Sequence, residues 1–211
     1  RQSESDSPWG HHKMILDRNK YYNAVKNQLE PGIFKHSLAV EVCMGGLYDY
    51  FSSNNLLTPK DPPKEDWTLA GLIHDIDFSG EFKEQHPTKT REALAVHGLE
   101  IDDVEYNIVQ AHAVGPNDIN FKNKAEWAIF CTDSLTGLIM AVAYVYPSKK
   151  LADVKVASVL KRFLKEPRFA AGTRREEVAM CNNPKGLNLS LEKLVEICLL
   201  SMQSIAEELG L

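Results

Sequence analysis

The residues best suited to metal chemistry are histidines and aspartates spread over the first two thirds of the chain. His36 comes first, an adjacent His74-Asp75 pair follows, and Asp133 lies inside a long apolar stretch. Neutral imidazoles together with carboxylate oxygens suit Zn²⁺, Mn²⁺, Fe²⁺ or, with more water, Mg²⁺. These residue types therefore indicate a site for a divalent metal ion.

Asp133 is the most informative of these positions. From Trp127 to Tyr146 it is the only ionised side chain in an apolar segment. A buried carboxylate must be protonated, paired with a cation or bound to a metal. A salt bridge to a lysine or arginine stays open beside metal binding. The segment is about as long as a bilayer span, but a carboxylate at membrane depth is costly, so we expect a central helix buried in protein.

Composition favours one domain in a reducing, cytoplasmic compartment. The chain has 211 residues, 44% of them hydrophobic, which suffices for one sizeable core. Its four cysteines form no CxxC pair, and no secretory signal is apparent. The 24 basic and 29 acidic residues give a net charge of −5, which disfavours a long nucleic acid but leaves room for a small anionic ligand. We expect residues 1–13 to be a flexible tail and 14–211 the domain.

The pattern of apolar residues and capping residues predicts an all-α fold. Pro31 is expected to open the second helix, Thr88 to cap a short one, and Ser190 and Gly210 to bound the last. The expected helices cover 17–29, 31–51, 64–74, 88–97, 101–112, 124–145, 151–164, 174–182 and 190–210.

The order of His36, His74-Asp75 and Asp133 resembles the signature of the HD-domain superfamily of metal-dependent phosphohydrolases. The run GLIHDID at 71–77 is close to the central motif of that superfamily, and residues 131–163 are similar to the C-terminal half of small stand-alone bacterial HD hydrolases. The resemblance implies a single helical HD domain that hydrolyses a phosphomonoester or phosphodiester of a nucleotide or a similar small molecule.

The resemblance also implies ligands. His36, His74, Asp75 and Asp133 would hold one divalent ion, which residue types alone do not assign among Mn, Mg, Fe, Zn and Ni. His86 and His112 lie where two-metal relatives carry ligands of a second ion, with the HD aspartate bridging. The alternative is a single ion, with these two histidines binding phosphate or acting as acid and base.

Further roles are expected for an acidic residue and for cations near the motif. Asp77 is the candidate for orienting the attacking water, although it could equally cap a turn, since relatives place a glutamate where this chain has Phe78. Among cations that could bind phosphate, Lys89 and Lys149 are favoured. Arg91, Lys150, Arg174 and Arg175 are further candidates.

Two other functions remain open at this stage. Some HD-fold proteins hold two irons and oxidise an organic substrate with O₂, and six ligands are compatible with that chemistry. A nucleotide-sensing module that has lost turnover is the third possibility. The sequence leaves the oligomeric state open, a homodimer included.

Overall fold

The computed structural model describes residues 17–211, and within that range it contains helices and no strand. The all-α prediction is confirmed, while the expected tail, 1–13, lies outside the described residues. The helices are α1 (Arg18–Gln28), α2 (Pro31–Ser53), α3 (Lys64–Ile73), α4 (Thr90–Ala95), α5 (Asp103–Ala111), α6 (Lys124–Val145), α7 (Val156–Lys165), α8 (Arg175–Ala179), α9 (Leu191–Gln203) and α10 (Ala206–Leu209). Three 3₁₀ turns cover Gly80–Gln85, Leu151–Asp153 and Met180–Asn182.

Most predicted helix ends are confirmed. Pro31 is the first residue of α2, where its missing N–H costs nothing. The Ser190 side chain accepts a hydrogen bond from the backbone N–H of Lys193 and caps α9. Gly210, at a φ of 71°, ends α10.

The last predicted helix, 190–210, is interrupted. Its middle contains serines whose hydroxyls bond to the helix backbone: Ser201 donates to the carbonyl of Ile197, and Ser204 to the carbonyl of Ser201. Such bonds compete with the regular helical pattern. The chain leaves the helix after Gln203 and resumes it at Ala206.

Three other predicted helices are each four residues shorter than expected. Thr88 does not cap α4, because its hydroxyl donates to the carbonyl of Gln85 and Lys89 takes the N-cap position. The expected helices 151–164 and 174–182 each contain a separate 3₁₀ turn beside α7 and α8.

The long apolar helix α6 lies at the centre of the core. It packs against α2, α5, α7 and α8, and Phe130, Leu135 and Ile139 are completely buried. By length and composition α6 could cross a membrane, but 72% of its most apolar window is buried inside the protein. This burial fits the prediction of a central helix buried in protein.

The backbones of α2 and α3 approach each other closely at Gly71. A Cβ atom at this position would lie 2.9 Å from Cα of Glu41, nearer than carbon atoms normally come. Glycine therefore sets the distance between the two helices.

We expect Gly71→Ala to lower the stability of the fold. Forcing a methyl group into this contact costs about 1–3 kcal/mol, or a Tm lower by roughly 2–12 °C for a domain of this size. Thermal unfolding followed by circular dichroism measures the change. Gly137→Ala on α6 is the matched control, because a Cβ there meets nothing within 4 Å and alanine favours a helix. Equal Tm values for Gly71→Ala and Gly137→Ala would contradict the close approach of α2 and α3.

Candidate metal centre

All the predicted metal ligands come together where α2, α3, α5 and α6 meet. Each of these side chains lies at a helix end or on the helix face that is turned toward the other ligands. His36 belongs to α2 and Asp133 to α6; His74 and Asp75 directly follow α3, His112 directly follows α5, and His86 follows the 3₁₀ turn Gly80–Gln85.

The first group of donors surrounds one oxygen of Asp75. Its Oδ2 atom lies 3.3 Å from Nε2 of His74 and 3.7 Å from Nε2 of His36. Asp133 adds an oxygen next to both rings, with Oδ1 at 2.9 Å from Nε2 of His36 and 3.7 Å from Nε2 of His74. His36, His74 and Asp75 satisfy the spacing expected of a metal site.

The second group surrounds the other oxygen of the same carboxylate. Oδ1 of Asp75 lies 3.5 Å from Nε2 of His86 and 3.8 Å from Nε2 of His112. These three residues also satisfy the spacing of a metal site. Asp75 thus lies between two histidine pairs and turns one oxygen toward each.

The distances between donors match those around a bound ion. Ligand atoms held about 2.1 Å from one ion lie about 3.0 Å apart at right angles and about 3.4 Å apart at tetrahedral angles. The two Nε2 atoms are 3.2 Å apart in His36 and His74, and 3.0 Å apart in His86 and His112. The donors are therefore close enough for each pair to share an ion.

Backbone carbonyls fix the proton position on two of the rings. Nδ1 of His74 lies 2.8 Å from the carbonyl oxygen of Gly71, and Nδ1 of His112 contacts the carbonyl oxygen of Val109. A carbonyl oxygen can only accept, so Nδ1 carries the proton in both rings. In the neutral imidazole, Nε2 then presents its lone pair toward Asp75.

Side chains do the same for the other two rings. The hydroxyl of Thr136 donates to the carbonyl of Asp133 and so accepts from Nδ1 of His36, 3.0 Å away. Oδ1 of Asp77 accepts from Nδ1 of His86 at 2.7 Å. Partners of this kind orient metal-binding histidines and fix the tautomer.

The electrostatics of the cluster favour positive charge. Burial would lower the pKa of His74, but the carboxylates of Asp75 and Asp133 outweigh it and raise that pKa to about 9. Burial, together with the charge of His74, lowers the pKa of His112 to about 4. Burial would raise the pKa of both carboxyl groups, yet the surrounding imidazoles hold each well below its usual range. The space between the carboxylates thus attracts a cation, whether a proton or a metal ion.

Asp77 has a different place from the one predicted. Its side chain is completely buried, and its second oxygen, Oδ2, accepts from the backbone N–H of Lys89 at 2.8 Å. Asp77 therefore orients His86, and its buried side chain is closed to bulk solvent.

The predicted phosphate-binding lysines do not reach the cluster. The ammonium group of Lys89 pairs with Glu92 on the surface. Lys149 follows the end of α6, and Val145 already lies roughly 18 Å beyond Asp133 along the helix axis. Neither side chain contacts a member of the two histidine pairs.

In the part of the chain that the structure describes, the arginine that reaches the cluster is Arg174. Its guanidinium donates to Oδ2 of Asp133 and to the carbonyl oxygen of His112, and pairs with Glu177. In the sequence it was one of several candidate cations, with a separation of 41 residues from Asp133 and no pattern linking the two. Thr136 was also missed, although its position three residues after Asp133 places it on the same helix face.

In comparisons with known proteins, the chain matches no protein-family profile, no curated protein and no solved structure. Function is therefore inferred from the geometry of the cluster alone.

We expect Thr136→Val and Asp77→Asn to weaken metal binding at different histidine pairs. Valine removes the partner of His36, whereas asparagine loses the charge that holds His86. Loss of such a partner typically lowers metal affinity 10- to 100-fold. Titration with Zn²⁺ or Mn²⁺ by calorimetry measures each affinity. Two variants with unchanged affinities would show that these contacts do not support metal ligands.

Proposed function

We propose that this chain is a metal-dependent phosphohydrolase of the HD type with a two-ion centre. One observation carries the proposal: two pairs of histidine Nε2 atoms, 3.2 and 3.0 Å apart, converge on the two oxygens of Asp75. Facing lone pairs at such distances repel each other unless a cation lies beside them. A proton relieves one nitrogen pair, but a metal ion also satisfies the adjacent carboxylate oxygen.

The donor set defines the two positions. His36, His74, Asp133 and Oδ2 of Asp75 would hold one ion, and His86, His112 and Oδ1 of Asp75 the other. Mixed imidazole and carboxylate donors suit Mn²⁺, Fe²⁺, Zn²⁺ or Ni²⁺ better than Mg²⁺, which prefers oxygen ligands. When bound, such ions acidify water and stabilise the charge of a phosphoryl group.

Among residues 17–211, Arg174 is the cation best placed to bind substrate phosphate. Its side chain is 40% exposed and reaches the edge of the cluster at Asp133. Its Nε and Nη2 atoms bond to Glu177, Asp133 and the His112 carbonyl, so Nη1 is the group that would donate to a phosphate oxygen. We therefore propose Arg174 as the phosphate-binding residue in place of Lys89 and Lys149.

We expect Asp75→Asn to abolish activity and lose both ions, because this carboxylate serves both histidine pairs. Helix content should stay close to that of the wild type, since asparagine has the same size. Metal analysis and phosphate release from a panel of nucleotides, assayed with Mn²⁺, Mg²⁺ and Fe²⁺, measure the effect. His74→Ala should behave in the same way.

Asp103→Asn is the matched control, since Asp103 is an exposed carboxylate outside the cluster. Full activity in Asp75→Asn would disprove the proposed centre. Bound iron with oxygen-dependent turnover and no phosphate release would instead identify the oxygenase. Bound metal without turnover of any substrate would favour the sensing module.

Metal should also stabilise the folded protein. A ligand present at 100 times its Kd adds about 2.7 kcal/mol to the free energy of unfolding, which corresponds to a Tm higher by roughly 5–11 °C in a domain of this size. Differential scanning calorimetry of chelator-treated protein, with and without added Mn²⁺, tests this. Asp75→Asn should show no such increase, and an equal increase in that variant would place the binding elsewhere.

A further inference from the structure

A groove beside the first turn of α6 lies apart from the metal centre. It has two connected ends, which share Lys60, Phe121 and Lys122 among the residues that line them. One end has a volume of about 290 Å³ and the other about 420 Å³. No member of the metal cluster lines either end.

The smaller end is strongly basic in a chain whose net charge is −5. Four lysines line it against one carboxylate, Asp61, which is itself buried and bonded to the backbone N–H groups of Thr58 and Lys124. The lysines are Lys60, Lys122, Lys124 and Lys185.

Most of this positive charge is not neutralised. The ammonium of Lys124 lies 3.6 Å from Asp61, and that of Lys122 bonds to the neutral amide of Asn120. Within residues 17–211, Lys60 and Lys185 are exposed and have no carboxylate at ion-pair distance. Unpaired ammonium groups around one cavity attract a multiply charged anion such as a phosphate chain.

The larger end has a different character. Val104 and the partly exposed ring of Phe121 give it apolar walls, and the exposed amide of Asn107 offers both a donor and an acceptor. Phe121 is held edge-on against Trp127, with ring centroids 5.1 Å apart, so its position is fixed. An aromatic face beside an amide suits a planar heterocyclic base.

We infer that this groove binds a nucleoside phosphate at a second site, distinct from the metal centre. The phosphates occupy the lysine end, and the base lies against Phe121 within reach of Asn107. Asn107 precedes His112 by about 8 Å along α5, and Glu126 precedes Asp133 by about 10 Å along α6. No residue of the metal cluster lines the groove, so its ligand occupies a site separate from the metal centre.

The test uses chelator-treated protein, so that binding does not depend on the metal centre or on hydrolysis. Isothermal titration calorimetry with ADP should show one saturable site. Lys60→Ala/Lys185→Ala should weaken ADP binding at least tenfold and reduce its dependence on salt. The matched control, Lys150→Ala/Lys155→Ala, removes two exposed charges beyond the far end of α6 and should bind ADP as the wild type does.

Pyrophosphate is the probe that separates a nucleotide from a simple anion. We expect it to bind more weakly than ADP, and Phe121→Leu to weaken ADP at least fivefold while leaving pyrophosphate unchanged. No ADP binding, or binding that the Lys60→Ala/Lys185→Ala variant retains, would overturn the inference. Pyrophosphate that binds as tightly as ADP would overturn the nucleotide assignment. Because the metal is removed, ADP binding to the groove is measured independently of whether the metal centre hydrolyses phosphate.

Discussion

The carboxylate of Asp75 is the constraint on which the geometry of the cluster depends. Its two oxygens face two histidine pairs, so the chain must bring histidines from separate helices to opposite sides of one small group. This is possible because Asp75 stands just beyond the end of α3, where its side chain is free to lie between α2, α5 and α6. The close contact at Gly71 sets how near α2 can come.

The burial of Asp133 requires that its negative charge be compensated. A carboxylate in the core helix is costly unless it is compensated, and Asp133 is compensated on both sides. One of its oxygens faces His36 and the other accepts from Arg174. Of the two interpretations that the sequence left open for Asp133, the salt bridge is present, while its place among metal donors stays a prediction that its 2.9 Å contact with His36 supports.

Sequence reasoning succeeded where the signal was local or specific. Caps such as Ser190 and Gly210 follow from local backbone chemistry, and the histidine and aspartate set followed from a motif with ordered spacing. It failed where proximity along the chain was taken for proximity in space. Lys149 lies close to Asp133 in sequence but beyond the far end of a rigid helix, whereas Arg174 returns to the cluster from a distant loop. Such a return depends on tertiary packing, which no local pattern encodes.

Each histidine pair combines one ring held by the main chain with one held by a side chain. Carbonyl groups orient His74 and His112, while Thr136 and Asp77 orient His36 and His86. A backbone carbonyl remains when the side chain of its residue is replaced. The hydrogen bonds that orient His74 and His112 are therefore insensitive to most substitutions. A single substitution at Thr136 or at Asp77 changes the partner of His36 or of His86, and each affects only one pair. The two histidine pairs can thus diverge in their affinity for cations while Asp75, which lies between them, is retained.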